Sequence, residues 1–373
     1  MYDRSLSKLA SLRAFSILHD RLQGLRLWTR TLGRKKHANF LVAGQSNIAE
    51  WFTAADGQAI KEFQRHFTAH SPEIASVRIC NAATGGSALL KQVAQKNSEP
   101  FFDNPDFCQR VKDNYWFDEN SGDLGPALVS AERSIQKWRR QGVVFEGIIW
   151  SQGEADAIHL SNEIAEVYRN ALPKVLQRLI WRSGAQAVYI QELGRIDPPT
   201  PASVHGVNCI RAAQRDQAEY DPRIHIASTT FDIPLRDPVH LTNAGYKEAA
   251  KRMAIGIAAG ETSPTVDHGF IDPEGVIHLQ LGLGEGQVLK HIATADAFQL
   301  FGAGKAQPIS KIDLSSAGEI QITPQSNLDS CELDYAIGTI LTEVDPDAFL
   351  MVQGAAHSVP VRPFRIAVAR SED

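Results

Sequence analysis

The chain has 373 residues, of which 43% are hydrophobic and 22% charged, and its formal net charge is −5 at pH 7. A chain of this length and composition can bury a large core, which excludes an intrinsically disordered protein. The acidic balance argues against a protein that binds nucleic acid through its overall charge, and no run of about 18 apolar residues suggests a membrane-spanning helix.

Charge is distributed unevenly along the chain. Residues 1–36 carry nine Lys/Arg and two Asp/Glu, a net charge of +7, whereas residues 261–373 carry six Lys/Arg and sixteen Asp/Glu, a net charge of −10. This asymmetry predicts three parts. They are a basic N-terminal segment over 1–36, a central domain over 37–260 and an acidic accessory domain over 261–373.

The N-terminal segment shows helical spacing of its apolar residues. Between residues 5 and 32 these recur at intervals near three, four or seven: Leu6, Leu9, Leu12, Leu18, Leu22, Leu25 and Trp28. The spacing predicts an amphipathic helix that docks on its own protein or on a second copy in a homo-oligomer, with a membrane-surface helix as the alternative. Arginines and lysines interrupt the segment throughout, so it lacks the apolar core of a secretory signal.

The central domain alternates apolar strands with helices. Strands are predicted at Asn39–Ala43, Val77–Ala82, Gly147–Ser151, Ala187–Glu192 and Ile224–Ser228, and helices at Ala127–Gln141, Glu163–Arg182, Val204–Tyr220 and Asn243–Ala259. Alternation of this kind predicts an α/β fold in which helices cover both faces of a parallel sheet. In such a sheet the functional site lies at the carboxyl ends of the strands.

The accessory domain has a different pattern. Gly, Asp and Pro punctuate short apolar runs such as Val276–Leu279, Gly318–Thr323, Ala348–Val352 and Phe364–Val368, and no long amphipathic helix is evident. These features predict an all-β domain that resembles a sandwich.

The four cysteines, at positions 80, 108, 209 and 331, lie far apart and form no Cys-x-x-Cys motif. Nothing in their spacing points to a disulfide pairing, which favours a cytoplasmic protein with reduced thiols. No group of His, Asp and Glu has metal-ligand spacing, so we predict no metal and no cofactor.

Two strand ends carry residues suited to acyl-transfer chemistry. Ser46 follows the first strand within Gly44-Gln45-Ser46-Asn47, where a helix starts. This position suits a nucleophile, although a serine there is also a common helix cap. Gly85 and Gly86 follow the second strand, where a backbone N–H could bind an oxyanion, although a plain turn has the same sequence.

Two further loops complete the candidate site. Gln152 and Glu154 follow the third strand, where Gln152 could donate its amide to an oxyanion and Glu154 could order neighbouring groups. Asp237 and His240 stand three residues apart before the last helix, a spacing that lets the carboxylate hold one imidazole nitrogen. A capping Asp beside a surface His is the alternative.

The combination is more specific than any one residue. Ser46 would be the nucleophile, His240 the general base and acid, and Asp237 the residue that orients His240. The N–H groups of Ser46 and Gly86 and the Gln152 amide would form the oxyanion hole, with Gly85 as the substitute if the register differs by one residue. Gln45, Asn47 and Glu154 would support the site or bind substrate.

The order of these blocks resembles the SGNH/GDSL hydrolase superfamily, and within it the branch of sialate O-acetylesterases and carbohydrate esterase family 6. The blocks are Gly44-Gln45-Ser46-Asn47, Gly85-Gly86-Ser87, Trp150-Ser151-Gln152-Gly153-Glu154-Ala155-Asp156 and Asp237-Pro238-Val239-His240-Leu241-Thr242, with Leu124-Gly125-Pro126-Ala127 as a further similar segment. Gln152 stands where the wider superfamily usually has Asn. The residues after the second block, Ser87-Ala88-Leu89-Leu90-Lys91, lack an aromatic side chain that is often found there.

The resemblance covers about residues 38–258. It implies a three-layer, doubly wound, flavodoxin-like parallel sheet, and a serine esterase that removes O-acetyl groups from sialic acid, xylan or a bacterial polysaccharide without a metal. The alternatives are a lipase or thioesterase of the same superfamily, an acetyltransferase that uses the same serine, and a catalytically silent carbohydrate-binding or assembly protein. An acetylated carbohydrate is the expected partner, and nucleic acid is not.

Overall fold

The structure is a computed structural model that describes residues 36–96, 111–291, 295–337 and 349–370. The predicted helix over 5–32 therefore lies outside the described residues. The strands of the central part are β1 (Lys36–Gly44), β2 (Ile74–Asn81), β3 (Ala88–Leu90), β4 (Tyr115–Phe117), β5 (Gly147–Ser151), β6 (Ala187–Glu192) and β7 (Ile224–Thr229). Its helices are α1 (Ser46–Ala49), α2 (Gln58–His70), α3 (Lys91–Lys96), α4 (Pro126–Arg140), α5 (Glu154–Ala157), α6 (Asn162–Ser183), α7 (Pro201–Tyr220) and α8 (Asn243–Ala259).

Five strands form one parallel sheet in the order β2-β1-β5-β6-β7. If these five are counted alone along the chain, the order is 2-1-3-4-5, which is the flavodoxin-like arrangement. The order reverses between β1 and β5, and ligands of such sheets bind at the carboxyl ends beside this point. The predicted fold class is confirmed.

The residues of β1 show why the sheet is buried on both faces. Leu41 and Ala43 belong to the core formed with α4, α6 and α7, whereas Phe40 and Val42 belong to the core formed with α2 and α8. Successive side chains of a strand point to opposite faces, so a strand covered on both faces is a continuous apolar run. The sequence Phe40-Leu41-Val42-Ala43 is such a run.

All five predicted strands of the central domain are present, and its four predicted helices agree with the structure to within a few residues. Helix α2 and the short parallel pair β3–β4 were not predicted. Helix α2 carries a visible signal, because its buried residues Ala59, Phe63 and Phe67 recur every four positions. Gly184, with a φ of 72°, ends α6, and the Thr242 side chain caps α8 by accepting a hydrogen bond from Gly245 N–H.

The C-terminal part is all-β, as predicted, and its strands pair antiparallel. Its strands are β8 (Val266–Ile271), β9 (Ile277–Leu281), β10 (Val288–His291), β11 (Phe298–Gly302), β12 (Lys305–Gln307), β13 (Ile309–Leu314), β14 (Glu319–Pro324), β15 (Ser330–Tyr335), β16 (Met351–Gln353), β17 (Ser358–Pro360) and β18 (Phe364–Ala369). Two four-stranded sheets, β12-β11-β15-β18 and β13-β14-β9-β8, share one apolar core, and a three-stranded sheet, β10-β16-β17, adds to it. The domain limits at 260 and 261 stay a prediction.

The β-rich part packs directly on the central sheet. Phe231, which follows β7, is fully buried in the core of the β-rich part and meets Phe349 edge to face, with ring centroids 5.4 Å apart. At the end of β6, the buried Glu192 carboxylate pairs with Arg215 of α7 at 2.7 Å and with Arg362 at 3.7 Å. Burial alone would raise the pKa of Glu192, but these arginines hold that pKa below its usual value.

The described helices include none that is both long enough and apolar enough to cross a membrane. Cys80, Cys209 and Cys331 are free thiols.

Phe231→Ala tests the contact between the two parts. We expect it to lower the free energy of unfolding by about 3–5 kcal/mol, because truncation leaves a cavity at a fully buried site. Urea titration followed by circular dichroism measures the change. Phe270→Ala is the matched control, since this ring is 38% exposed and its loss should cost well under half as much. Equal effects of the two substitutions would contradict a shared core at Phe231.

Candidate active site

The turn after β1 brings Ser46 to the carboxyl edge of the sheet. Gly44 has a φ of +129°, and a Cβ atom there would lie 1.9 Å from the carbonyl oxygen of Ser151 on β5. Only glycine allows this close approach. Gln45 N–H then donates to the same carbonyl at 2.9 Å, and Ser46 opens α1 with its side chain half-buried. The hydroxyl therefore lies at the point where the strand order reverses.

The turn before α8 holds the imidazole. Asp237 Oδ1 accepts hydrogen bonds from the backbone N–H of His240 at 2.9 Å and of Val239 at 3.1 Å, and it lies 2.9 Å from His240 Nδ1. Burial works against the charged carboxyl, but these bonds and the nearby His240 ring lower the pKa of Asp237 below its usual value. An ionised Asp237 thus fixes Nδ1 as the protonated nitrogen and leaves Nε2 on the opposite side of the ring.

Asn47 joins these two turns. Its Nδ2 donates to Val239 O at 2.9 Å, while its Oδ1 accepts from Leu241 N–H at 3.4 Å and from the Tyr246 hydroxyl at 3.1 Å. The side chain next to Ser46 is therefore bonded to the residues on either side of His240. These bonds bring the backbone of the Ser46 turn against the backbone of the His240 turn.

Glu154 supports Asn47 from beneath. Its Oε1 accepts a 2.6 Å hydrogen bond from Asn47 Nδ2, and the side chain is buried at the start of α5. Burial raises the pKa of Glu154, an effect that the Asn47 bond and the nearby His240 only partly oppose. Oε2 has no hydrogen-bond partner within the described part of the chain. These contacts are compatible with the ordering function expected for Glu154, which stays a prediction.

Gly86 lies in the loop after β2, which is pinned to the Ser46 turn because Thr84 N–H donates to Gly44 O at 2.9 Å. Gly86 is half-buried with a φ of +70°, and its N–H donates to no residue in the described ranges. Gly85 is more exposed, and its carbonyl accepts from Asn114 Nδ2 at 3.0 Å. Of the two glycines, Gly86 therefore has the N–H better suited to an oxyanion.

Gln152 faces inward. The side chain is 1% exposed. Its Nε2 donates to Asp156 and also to Gln45 Oε1, the latter at 3.3 Å. Its Oε1 accepts a hydrogen bond from the Tyr168 hydroxyl at 2.9 Å. The amide hydrogens that the sequence suggests for an oxyanion are thus engaged inside the protein. In this structure Gln152 braces the loops around the site, and a direct contact with substrate would require one of these bonds to be exchanged.

Gln45 has a similar bracing position. Its side chain is 2% exposed, and Oε1 accepts from Gly153 N–H at 3.2 Å as well as from Gln152. Gln45 thereby ties the loop after β1 to the loop after β5 from below. Its burial fits a supporting function and leaves no surface for substrate.

Two residues of this region were not selected from the sequence. Asp156 is fully buried and accepts from Leu89 N–H at 2.8 Å and Leu90 N–H at 3.4 Å, and burial raises its pKa to about 7. Arg236 donates to Glu50 Oε1 at 3.1 Å and to Asp237 at 3.4 Å. Asp156 is the last residue of the third sequence block that resembles the superfamily, so its position in that block indicated a function in the site. For Arg236 the only indication in the sequence was its position next to Asp237.

No cluster of three or more His, Cys, Asp or Glu side chains among the described ranges is arranged to hold a metal ion. Asp237 and Asn47 are instead hydrogen-bonded to His240, Glu154 and backbone groups. The chemistry that this arrangement can perform on its own is proton transfer and nucleophilic attack by a hydroxyl.

Comparison with solved structures agrees with this architecture. A carbohydrate acetylesterase from Xanthomonas citri matches with a TM-score of 0.59 and 16% identity over 88% of this chain and 80% of its own. A carbohydrate acetylesterase from Sinorhizobium meliloti matches with a TM-score of 0.38 and 12% identity over 60% of this chain and 99% of its own. An aryl esterase of M. smegmatis gives a TM-score of 0.38 and 8% identity over the same shares.

No protein-family model matches the chain, and no curated protein matches it either. The match to the Xanthomonas citri enzyme covers more of the chain than the central sheet and its helices, so it extends into the β-rich part. At these identities the similarity concerns the fold. The chain has the fold of the SGNH/GDSL hydrolases, as its sequence blocks predict.

Proposed function

We propose that the protein is a serine esterase that removes O-acetyl groups from a carbohydrate. The observation that carries the proposal is the set of Asn47 bonds, which bring the Ser46 turn against the turn that holds the Asp237–His240 pair. The turns that carry a hydroxyl, an imidazole and an ionised carboxylate therefore adjoin at one edge of the sheet. This is the set of groups required for acyl transfer through a covalent serine intermediate.

In the first half of the proposed reaction, Ser46 Oγ attacks the acetyl carbonyl carbon while His240 Nε2 takes the hydroxyl proton. Asp237, held at 2.9 Å from Nδ1, stabilises the imidazolium. The tetrahedral intermediate collapses, the bond to the sugar oxygen breaks, and His240 returns its proton to that oxygen. The products of this half are the free sugar hydroxyl and acetyl-Ser46.

In the second half, His240 takes a proton from water as the water attacks acetyl-Ser46. Collapse releases acetic acid, which loses its proton to water and becomes acetate, while the proton held by His240 passes to Ser46 Oγ. The negative charge of both intermediates would be stabilised by the N–H groups of Ser46 and Gly86. Ser46 N–H is the first of a helix and so has no acceptor inside that helix. One such donor typically contributes about 2.7–4 kcal/mol to catalysis.

Two observations favour acetylated carbohydrate among the possible esters. The sequence blocks resemble the sialate O-acetylesterase branch, and the solved structure with the TM-score of 0.59 is described as a carbohydrate acetylesterase. Sialic acid, xylan and bacterial polysaccharides are the sugars that we propose to test. A lipase or thioesterase would differ by accepting long acyl chains.

Ser46→Ala tests the nucleophile. We expect acetate release from a chromogenic acetyl ester and from acetylated carbohydrates to fall at least about a thousandfold, because the residual rate comes from binding and the oxyanion donors alone. The free energy of unfolding should stay within about 0.5 kcal/mol, since the side chain lies half-exposed at a turn. Undiminished turnover in the folded variant would refute Ser46 as the nucleophile.

Asn47→Ala tests the link between the two turns. We expect kcat to fall about 10- to 100-fold with a smaller change in KM, because the hydroxyl and imidazole lose their alignment while the substrate surface is retained. Asn39→Ala is the matched control: Asn39 also donates to a backbone carbonyl, that of Val144 at 2.9 Å, but at the amino end of β1. A similar loss of kcat in both variants would indicate a general effect on the fold.

Asp156→Asn tests the buried carboxyl beneath the site by its pH dependence. Between about pH 4 and pH 7 the unfolded carboxyl, with its ordinary pKa of 3.8, has lost its proton, whereas the folded one keeps it up to about 7. The unfolded state therefore binds fewer protons, so this group makes stability fall as pH rises across the interval. We expect the unfolding free energy of the wild type, relative to the variant, to decrease over this range.

Asp221→Asn is the control for this titration. The hydrogen bond from Arg223 lowers the pKa of Asp221 below its usual value of 3.8, so above about pH 4.5 the carboxyl is largely ionised in both the folded and the unfolded chain. The stability difference between wild type and Asp221→Asn should stay constant from about pH 4.5 to pH 7. A constant difference for Asp156→Asn as well would contradict a neutral buried Asp156.

A further inference from the structure

The end of the sheet opposite the active site carries an exposed tryptophan among basic side chains. Trp181, in the last turn of α6, is 64% exposed, and the guanidinium groups of Arg178 and Arg182 lie 4.6 and 5.3 Å from its ring centroid. The last turn of α4, alongside, adds Lys137, Arg139 and Arg140, all exposed. We call these six residues the arginine corner.

The corner is held together by contacts between the two helices. Arg178 and Arg182 pair with Glu132 of α4 at 2.5 and 3.2 Å, and Arg139 Nη1 donates to Arg182 O at 2.9 Å. Glu132 offsets one of the positive charges and is largely buried, so the outward face keeps an excess of positive charge. The tryptophan ring is thus presented on a rigid, cationic surface.

A large exposed aromatic ring needs an explanation that the proposed catalysis does not provide. Both helices run antiparallel to the strands, so their last turns lie at the amino ends of β5 and β6, away from Ser46 and His240 at the carboxyl ends. Val144, in the loop between α4 and β5, is another apolar side chain that is 64% exposed. The corner is therefore a surface separate from the active site.

We propose that the arginine corner binds the surface of an anionic phospholipid membrane. Tryptophan favours the interface between headgroups and acyl chains, and arginines are attracted to anionic headgroups. Two features beyond the corner favour this partner. Exposed Val144 adds apolar surface without charge, which a lipid interface accommodates. The chain also enters the described structure at Lys36, on the same end of the sheet, after a segment with a net charge of +7 in its sequence.

Nucleic acid is the other anionic partner that a basic surface with one aromatic ring could bind. Proteins that bind single-stranded nucleic acid stack its bases on the faces of aromatic rings, so those faces must be accessible. At Trp181 the neighbouring guanidinium groups already lie over the ring. The geometry therefore favours a lipid interface. The experiment below also measures binding of nucleic acid, so that the two partners can be distinguished.

Sedimentation of the 373-residue chain with vesicles tests this proposal. Vesicles of equal parts phosphatidylcholine and phosphatidylglycerol are expected to bind the protein at low salt, and vesicles of phosphatidylcholine alone are not. The variant R139Q/R140Q should bind about 30-fold more weakly, since each basic residue near an anionic surface contributes roughly a fivefold factor. Trp181→Ala should weaken binding as well, and acetyl ester turnover should be unchanged in both variants.

Tyr220→Ala is the matched control, because this ring is 88% exposed at the end of α7 and its loss should leave vesicle binding unchanged. The proposal would be overturned by absence of binding to the anionic vesicles, by equal binding of wild type and both corner variants, or by an equal loss in Tyr220→Ala. Tighter binding to a single-stranded oligonucleotide than to the vesicles at the same salt would assign the corner to nucleic acid instead.

Discussion

The buried amide of Asn47 is the interaction on which the candidate site depends. Ser46 and His240 are far apart in sequence, and each lies on a short turn that would have many conformations by itself. Asn47 uses both ends of its amide, donating to Glu154 and Val239 and accepting from Leu241 and Tyr246. A buried amide whose partners are removed is costly, so the two turns are held in one relative position.

A second set of buried polar groups supports that link from inside the fold. Asp156, Gln152 and Gln45 connect the loops that follow β1 and β5 with the segment that follows Gly86. Burying such groups costs free energy unless each one has hydrogen-bond partners. A buried network in which every group is hydrogen-bonded specifies one arrangement of the loops. Burial raises the pKa of Asp156 to about 7, so the carboxyl is neutral at lower pH, and a neutral carboxyl can be buried at a lower free-energy cost than a charged one.

The sheet was predictable because its signal is local. A strand buried on both faces is an uninterrupted apolar run, and the runs at β1, β5 and β6 were visible without any knowledge of their neighbours. The candidate site was predictable for a related reason: parallel strands bring their carboxyl ends to one edge, so residues after different strands are expected to lie together. Helix α2 has an equally local pattern, since Phe63 and Phe67 are four residues apart on one buried face, although our prediction did not include it.

The direction in which a polar side chain points was not predictable. Gln152 at a strand end suggests an amide that faces the substrate, yet Asp156 and Tyr168 draw it inward. Which partner a glutamine selects depends on buried groups from α5 and α6, and these are brought together only by tertiary packing. The same holds for Arg236, whose bond to Glu50 joins residues 186 positions apart.

Because all five strands of the central sheet run in parallel, the two ends of the molecule have different chemistry. The loops at the carboxyl ends carry the hydroxyl of Ser46, the imidazole of His240 and the carboxylate of Asp237. Among the acidic groups at this edge, Asp237 is hydrogen-bonded to His240 and Glu154 is hydrogen-bonded to Asn47. The amino ends carry Lys36 and the arginine corner. A protein attached to an anionic surface by the amino ends would direct the Ser46 edge outward, toward the aqueous phase where a polysaccharide is found. The parallel topology that assembles the candidate site would then also set its orientation.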